Sequence, residues 1–284
     1  MSMKQNIKSG LRIAGTTKKY RINFLVIAAC LILASCSGQV PTQSEIDSDI
    51  QENRAAQLVR VGDTTRAGGD LGTAMQLYQR AATMRPDWTQ PLLRLAETAA
   101  AAGMNTTALD AYTRAQTLEP HNVDIALGIG RAALKDGQLE TALASFTNAA
   151  QLAPTDNQGY NGAGIVLDLQ GAHLRAQERY MTGIERAPDN LPLKNNLGLS
   201  LALAGEYADA IQLLSDAVKD PNAGPGTRHN LSLVYGLAGD EENARRVALS
   251  DLNAAAVENN LAFYARLRAM TAKERSKAIF GVLR

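Results

Sequence analysis

The sequence is poor in cysteine, histidine and aromatic residues. Its 284 residues include two cysteines, three histidines and one tryptophan, and aromatic residues make up 5% of the chain. The histidines His121, His173 and His229 are not spaced as metal ligands usually are. The sequence also has no HExxH, P-loop or GxSxG motif. We therefore expect no metal, no cofactor and no enzymatic activity. An enzyme with an unrecognised active site is the alternative.

Basic residues are scarce outside the N-terminal segment. Residues 1–35 contain six of the 29 basic residues and no acidic residue. The remaining 23 basic residues stand against 28 acidic ones, which gives the rest of the chain a net charge of −5. Binding to nucleic acid requires a basic surface that neutralises phosphates. The sequence therefore predicts no nucleic-acid partner.

An apolar run from Ile22 to Ser35 follows these basic residues. It is shorter than the about 20 residues that a membrane-spanning helix needs. A basic segment followed by a short apolar one is typical of a secretory signal peptide. We therefore predict that residues 1–35 are a signal peptide that is removed. An uncleaved anchor helix is the alternative.

The sequence LASC at Leu33–Cys36 resembles the bacterial lipobox. This resemblance implies that a lipid is attached to Cys36 and that cleavage makes this residue the new N-terminus. More than one acyl chain then anchors the protein stably to a membrane. Cys30 would leave with the signal peptide, so the mature chain would have no free thiol. Residues 36–53 are polar beyond the cysteine and are predicted to form a flexible tether of about 20–25 Å.

The rest of the chain is organised by an internal repeat of 34 residues. Proline, glycine and alanine each recur at this interval, at Pro86, Pro120, Pro154 and Pro188, at Gly69, Gly103, Gly137, Gly171, Gly205 and Gly239, and at Ala74, Ala108, Ala142, Ala176, Ala210 and Ala244. Glycine ends helices in a left-handed conformation, and proline stops them. Each unit is therefore predicted to be a helical hairpin, and the fold class is all-α.

Two further columns share this register. Small residues occupy one of them, Gly62, Ala96, Gly130, Gly164, Gly198 and Ser232, and larger residues the other, Tyr78, Tyr112, Phe146, Tyr180 and Leu214. Together these columns resemble the tetratricopeptide repeat. The resemblance covers six units over residues 54–258 and implies a right-handed superhelical solenoid. Residues 259–284 are predicted to form a C-terminal capping helix and tail. The pattern is interrupted by Gly183, which replaces an alanine, and by the sequence DPNAGPG at Asp220–Gly226.

In such solenoids the first helices of successive units line a concave groove that binds a peptide or a partner helix. Polar residues recur at groove positions, and the candidates for partner binding are Arg60, Arg94, Asn161, Asn195, Asn196, His229 and Asn230. An amide side chain offers both a donor and an acceptor to a peptide backbone. Alternatively, these residues hydrate the groove or bond to adjacent helices. Trp88 either anchors a partner or packs under the next helix.

The order of signal peptide, lipobox, tether and repeats, with the segments RHNLSLVYGLAGDEENARR and VENNLAFYARLRAM, resembles the TadD family of tight-adherence (Tad/Flp) pilus assembly lipoproteins. That resemblance implies a pilotin-like protein of a Gram-negative bacterium, anchored by lipid to the periplasmic face of the outer membrane. Its expected partner is an outer-membrane secretin or another pilus assembly component. Ser37 after the cysteine is compatible with delivery to the outer membrane. Another lipoprotein adaptor, serving envelope assembly or peptidoglycan enzymes, is the alternative.

Overall fold

The structure is a computed structural model that describes residues 42–281. Every regular element in this range is a helix, which confirms the all-α prediction. The main helices are α1 (Gln43–Ala67), α2 (Leu71–Met84), α3 (Thr89–Ala101), α4 (Asn105–Leu118), α5 (Val123–Asp136), α6 (Leu139–Leu152), α7 (Asn157–Leu169), α8 (His173–Arg186), α9 (Leu191–Ala204), α10 (Tyr207–Ala217), α11 (Pro225–Ala238), α12 (Glu241–Ala248), α13 (Ala254–Ala269) and α14 (Ala272–Phe280). The predicted signal peptide and Cys36 lie outside the described residues.

The turn inside each hairpin is formed by the recurring glycine. All six of these glycines have a positive φ, between 74° and 89°, as the sequence predicted. In the third hairpin Gly137 follows the last residue of α5, and the next residue, Gln138, donates its N–H to the Ala133 carbonyl at 2.8 Å. This bond satisfies a carbonyl that the end of the helix leaves free. The glycine column therefore sets where the first helix of each repeat ends.

The alanine column forms the tightest contact within the hairpins. All six alanines are completely buried. The larger residues pack against glycines, and Phe146 illustrates both contacts that they make. A Cβ added to Gly130 of the same hairpin would lie 2.7 Å from the Phe146 ring, and one added to Gly162 of the next repeat would lie 2.4 Å from it. One ring thus packs its own hairpin together and also joins it to the following repeat.

The last two repeats are shortened, as the interrupted pattern indicates. Helix α10 has 11 residues and α12 has eight. The sixth repeat has Ala248 where other repeats have a large side chain, and Tyr264 of α13 packs beside this hairpin instead. A Cβ on Gly236 would lie 2.3 Å from the Tyr264 ring. Helix α13 therefore covers the end of the repeats, which confirms the predicted capping helix.

The predicted tether is wrong from residue 43 onward, because residues 43–53 belong to α1. Thr42 and Glu45 form a reciprocal pair at the start of this helix. The Thr42 N–H donates to Glu45 Oε2 at 2.6 Å, and the Glu45 N–H donates to Thr42 Oγ1 at 3.3 Å. This capping arrangement starts a helix even where few side chains are apolar. Ala55, further along α1, is completely buried.

The first helices of the repeats form one layer of the solenoid. Within residues 48–281, α3 contacts α5, α5 contacts α7, α7 contacts α9, α9 contacts α11 and α11 contacts α13. The second helix of each hairpin packs between two first helices instead. The first helices, through which neighbouring repeats contact each other, form the inner, concave layer of the solenoid. We call the exposed face of this layer the groove. Between residues 42 and 281, no helix is long and apolar enough to cross a membrane.

Candidate functional site

The chemistry of the groove changes along its length. Between α5 and α7 it contains a cavity of about 220 Å³, lined by Leu127, Arg131, Asn161 and Ile165 among others. Polar and aliphatic side chains therefore share this part of the wall. Such a mixture suits an extended peptide or the side of a helix, because apolar contacts supply affinity and polar groups set the orientation.

The N-terminal part of the groove contains a network of charges across α1 and α3. Arg94 Nε lies 3.3 Å from Asp63 Oδ1, and Arg94 Nη1 lies 3.2 Å from Glu97 Oε2. Arg66 Nη1 reaches the same Glu97 oxygen at 3.1 Å. Each of these side chains is more than a third exposed, so solvent screens the pairs. Arg94, a predicted binding residue, is thus paired within the chain, whereas Arg60 is exposed.

Asp63 of this network also contacts a side chain inside the first hairpin. The Tyr78 hydroxyl donates to Asp63 Oδ1 at 2.8 Å. Burial, together with this bond to a carboxylate, raises the pKa of Tyr78 to about 12. Asp63 is therefore held between a buried tyrosine and the partly exposed Arg94. This contact links the core of the first repeat to the charged wall of the groove.

The predicted amides do not form a free ladder. Asn196 Nδ2 donates to Asn161 Oδ1 at 2.7 Å, and Asn195 Nδ2 donates to Thr227 Oγ1 at 3.1 Å. These bonds join neighbouring repeats, so the alternative interpretation, bonding to adjacent helices, applies to three of the predicted amides. Asn230 is half-buried on α11.

His229 also has a neighbour within the chain. Its Nε2 atom lies 3.9 Å from an oxygen of Asp251. The same carboxylate accepts two bonds from Arg228, at 2.6 and 2.7 Å, and these bonds are the main reason why the pKa of Asp251 is lowered. The seven predicted residues therefore lie on five helices along the groove, and the structure does not bring them together into one compact site.

A buried polar cluster centred on Asp168 was not predicted from the sequence. The carboxylate is completely buried and lies 2.8 Å from His173 Nδ1, while it accepts hydrogen bonds from Ser200 Oγ at 2.7 Å and Tyr180 OH at 3.0 Å. Burial raises the pKa of Asp168, and the three hydrogen bonds only partly oppose it. Burial also raises the pKa of Tyr180 well above its ordinary value.

This cluster connects the fourth and fifth repeats. Ser200 bonds to the carboxylate and not to the imidazole, so His173 is not placed to accept the serine proton as a general base would. A signal was present in the sequence, because Asp168 interrupts a column that has Ala100, Leu134 and Ala202 in neighbouring repeats. Among residues 42–281, no group of three or more His, Cys, Asp or Glu residues could hold a metal ion.

Trp88 lies directly before α3. It is partly buried against the core of the first two repeats, and the Arg85 guanidinium lies over its ring at 5.2 Å. This position favours the interpretation in which the tryptophan packs under the next helix. It also separates Trp88 from the amides of α7, α9 and α11.

Comparison with known proteins agrees with this architecture. The sequence model of the tetratricopeptide repeat matches residues 93–157 and 163–225. The MamA protein has a similar solved structure, with 22% identity and a TM-score of 0.56 over 58% of this chain and 91% of that one. YrrB, described as a TPR protein with an unusual peptide-binding site, has 18% identity and a TM-score of 0.53 over 62% and 90%.

A third similar structure is that of pilF from Pseudomonas aeruginosa, with 15% identity and a TM-score of 0.55 over 70% of this chain and 91% of that one. At these identities the likeness concerns the fold alone. A comparison with curated proteins gave no match. The described residues therefore have the fold of a tetratricopeptide-repeat solenoid. The matched segments, which span the second to the fifth hairpin, are tetratricopeptide repeats.

Proposed function

We propose that this protein is a lipid-anchored interaction scaffold that assists assembly of the Tad/Flp pilus secretin, in the manner of a pilotin. The observation that carries the proposal is the lipobox-like LASC at Leu33–Cys36, followed in the same chain by a repeat solenoid with a partly polar groove. The lipid supplies location at the periplasmic face of the outer membrane. The groove supplies affinity for the secretin or another pilus component.

The binding role is supported by the form of the solenoid. Stacked repeats create a long concave surface without requiring a catalytic site. YrrB, which has a similar fold, is described as having a peptide-binding site. In the present chain the exposed Arg60, the half-buried Asn230 and the cavity beside Asn161 offer polar contacts to such a ligand.

The pilus role rests on the sequence. The resemblance to TadD extends from the N-terminal segment to the sequences RHNLSLVYGLAGDEENARR and VENNLAFYARLRAM. The second of these lies mostly within α13, the helix that caps the repeats, and the first lies on α11 and α12. The features of the resemblance that go beyond a generic repeat are therefore concentrated at the two ends of the protein.

The anchor is tested by Cys36→Ser. We expect the unmodified variant to lose membrane fractionation and to fail in secretin assembly, while the purified protein still binds its partner. Intact mass spectrometry of the wild-type membrane fraction should show a lipid-modified N-terminal Cys36. An unmodified cysteine, or a chain that still begins at Met1, contradicts the anchor.

The groove is tested by the double variant Arg60→Ala, Asn230→Ala. Neither side chain takes part in the Asn161–Asn196 pair, so folding should be retained. We expect normal membrane fractionation with fewer heat-resistant secretin multimers and fewer surface pili. Arg175→Ala, an exposed change on α8 in the outer layer, is the matched control and should behave as wild type. If deletion of the whole gene leaves secretin multimers and pili unchanged, the pilus role is rejected.

A further inference from the structure

The last helix of the described chain turns back into the groove. Helix α13 ends at Ala269 and α14 begins at Ala272, after a short break that contains Thr271. Although α14 follows the sixth repeat, it contacts α7 of the fourth repeat and α9 of the fifth. Because α7 and α9 belong to the inner layer, α14 lies in the C-terminal part of the groove, where a ligand helix would lie.

Helix α14 presents an apolar face to this wall. Phe280 is completely buried in a cluster that also contains Leu169 of α7 and Leu199 of α9, and Ile279 packs against the same cluster. Lys273 and Lys277 are exposed. The helix is thus amphipathic, with its apolar side on the groove and its charged side in solvent. This is the arrangement of a helix bound in a hydrophobic groove.

The turn before α14 is well defined. Thr271 and Glu274 form a capping box, and Arg275 donates from Nε to the Leu267 carbonyl at 3.0 Å and from Nη2 to the Met270 carbonyl at 3.2 Å. These bonds involve only the end of α13 and the start of α14. They direct α14 toward the groove but add no bond to the groove wall.

The contact between α14 and the wall is limited. The helix has nine residues, too few to be stable by itself in water. Ile279 and Phe280 are its only large apolar side chains, and Ser276 is completely buried with no hydrogen-bond partner for its Oγ. An unpartnered buried hydroxyl opposes docking. A helix with the same apolar spacing and no buried hydroxyl would fit this wall better.

We propose that α14 is an internal ligand of the groove, and that an amphipathic helix of a partner displaces it from α7 and α9. The partner helix would carry an aromatic or aliphatic residue in the place of Phe280 and a small apolar residue in the place of Ser276. This inference deepens the proposed function and rests on it in one respect, that the groove binds a protein. It adds that binding at the fourth and fifth repeats competes with docking of α14.

The test uses the purified full chain and a fluorescent synthetic peptide with the sequence of residues 271–281, TAKERSKAIFG. In the wild type the peptide must compete with the docked α14, which lowers its apparent affinity by the fraction of open molecules. Phe280→Ala in the protein removes the main apolar contact and opens the groove. We expect this variant to bind the peptide at least about tenfold more tightly than wild type.

Two further variants make the result specific. Ser276→Ala removes the unpartnered hydroxyl, stabilises the docked α14 and should weaken peptide binding by about fivefold or more. Lys277→Ala changes the exposed side of the same helix and should leave binding as in wild type. A control peptide carrying Phe280→Ala should lose its binding to every form of the protein. Hydrogen exchange should show α14 amides protected in wild type and faster in the Phe280→Ala protein.

The proposal is overturned if the Phe280→Ala protein binds the peptide no more tightly than wild type does, or if neither binds it. It is also overturned if α14 amides exchange in wild type as fast as in the free peptide. Secretin does not take part in this experiment. The internal-ligand proposal can therefore fail while secretin assembly still depends on the protein, and it can hold even if the pilus role is rejected by gene deletion.

Discussion

Replacing Gly164 by alanine tests the packing on which the solenoid depends. Gly164 lies in α7, and an added Cβ would be 2.3 Å from Cε1 and 2.5 Å from Cζ of Tyr180. Carbon atoms do not approach this closely without displacement. Tyr180 is completely buried and its hydroxyl donates to Asp168, so its ring has little freedom to move.

The second repeat shows what relieves such a contact. There Ala96 occupies the same column as Gly164, and the ring of Tyr112 packs closely against Gly128 of the next repeat. Tyr180 is tied to Asp168 and lacks this freedom. We therefore expect Gly164→Ala to cost about 1–3 kcal/mol, the usual range for an overpacked core. For a domain of this size this corresponds to a melting temperature lower by about 2–12 °C.

Two other glycines separate the steric effect from backbone effects. Gly171 has a φ of +79° and space for a Cβ, so Gly171→Ala should cost about 1–2 kcal/mol through backbone strain alone. Gly226 has space for a Cβ and no positive φ, so Gly226→Ala should be close to neutral. Urea unfolding followed by circular dichroism gives the free energies of unfolding. A cost for Gly164→Ala no larger than that for Gly226→Ala would refute the packing argument.

Three further changes probe the same core. Ala142→Leu, at a completely buried position of α6, should cost about 1–3 kcal/mol, whereas Ala144→Leu on the exposed side of the same helix should be tolerated; thermal unfolding distinguishes them. Tyr180→Phe removes one donor from the buried carboxylate of Asp168 and should cost about 1–3 kcal/mol, measured by urea unfolding. Asp168→Asn should change the pH dependence of unfolding. The pKa of Asp168 in the folded protein lies above the ordinary 3.8. The contribution of this carboxyl group to the free energy of unfolding therefore falls as the pH rises from 3.8 through the folded pKa, and it stays constant at higher pH. The free energy of unfolding of Asp168→Asn should not show this decline when it is measured between pH 3 and 7. Identical pH profiles for the wild type and the variant would contradict the raised pKa of Asp168.

The helical hairpins could be predicted because their determinants are local and repeated. Most repeats contain the same three features: a glycine with positive φ, a buried alanine, and a large residue that packs on a small one. Because these features recur every 34 residues, a single sequence is enough to recognise them. The start of α1 was missed for a different reason. The low apolar content of residues 43–53 suggested a coil, but the Thr42–Glu45 capping pair is also a local signal, and it indicated a helix.

The contacts that the sequence did not predict join residues outside the period or far apart. Asn196 and Asn161 are 35 residues apart, in neighbouring columns, so reading each column by itself suggested two free rows. The docking of α14 on α7 brings together residues more than 100 positions apart. The amphipathic pattern of α14 predicts that it packs on something, but the pattern contains no information about which repeat it packs on.

The groove therefore has two chemically different halves, and this difference bears on how a partner would bind. Around α1 and α3 the wall holds Arg66, Arg94, Asp63 and Glu97 in partly exposed pairs, whose interactions weaken with salt. Around α7 and α9 the wall includes the aliphatic cluster that α14 covers, so binding at that cluster depends mainly on buried apolar area. A partner that used only the first half would show salt-dependent binding that Phe280→Ala leaves unchanged. A partner that used the second half would show the opposite, because its binding requires α14 to leave.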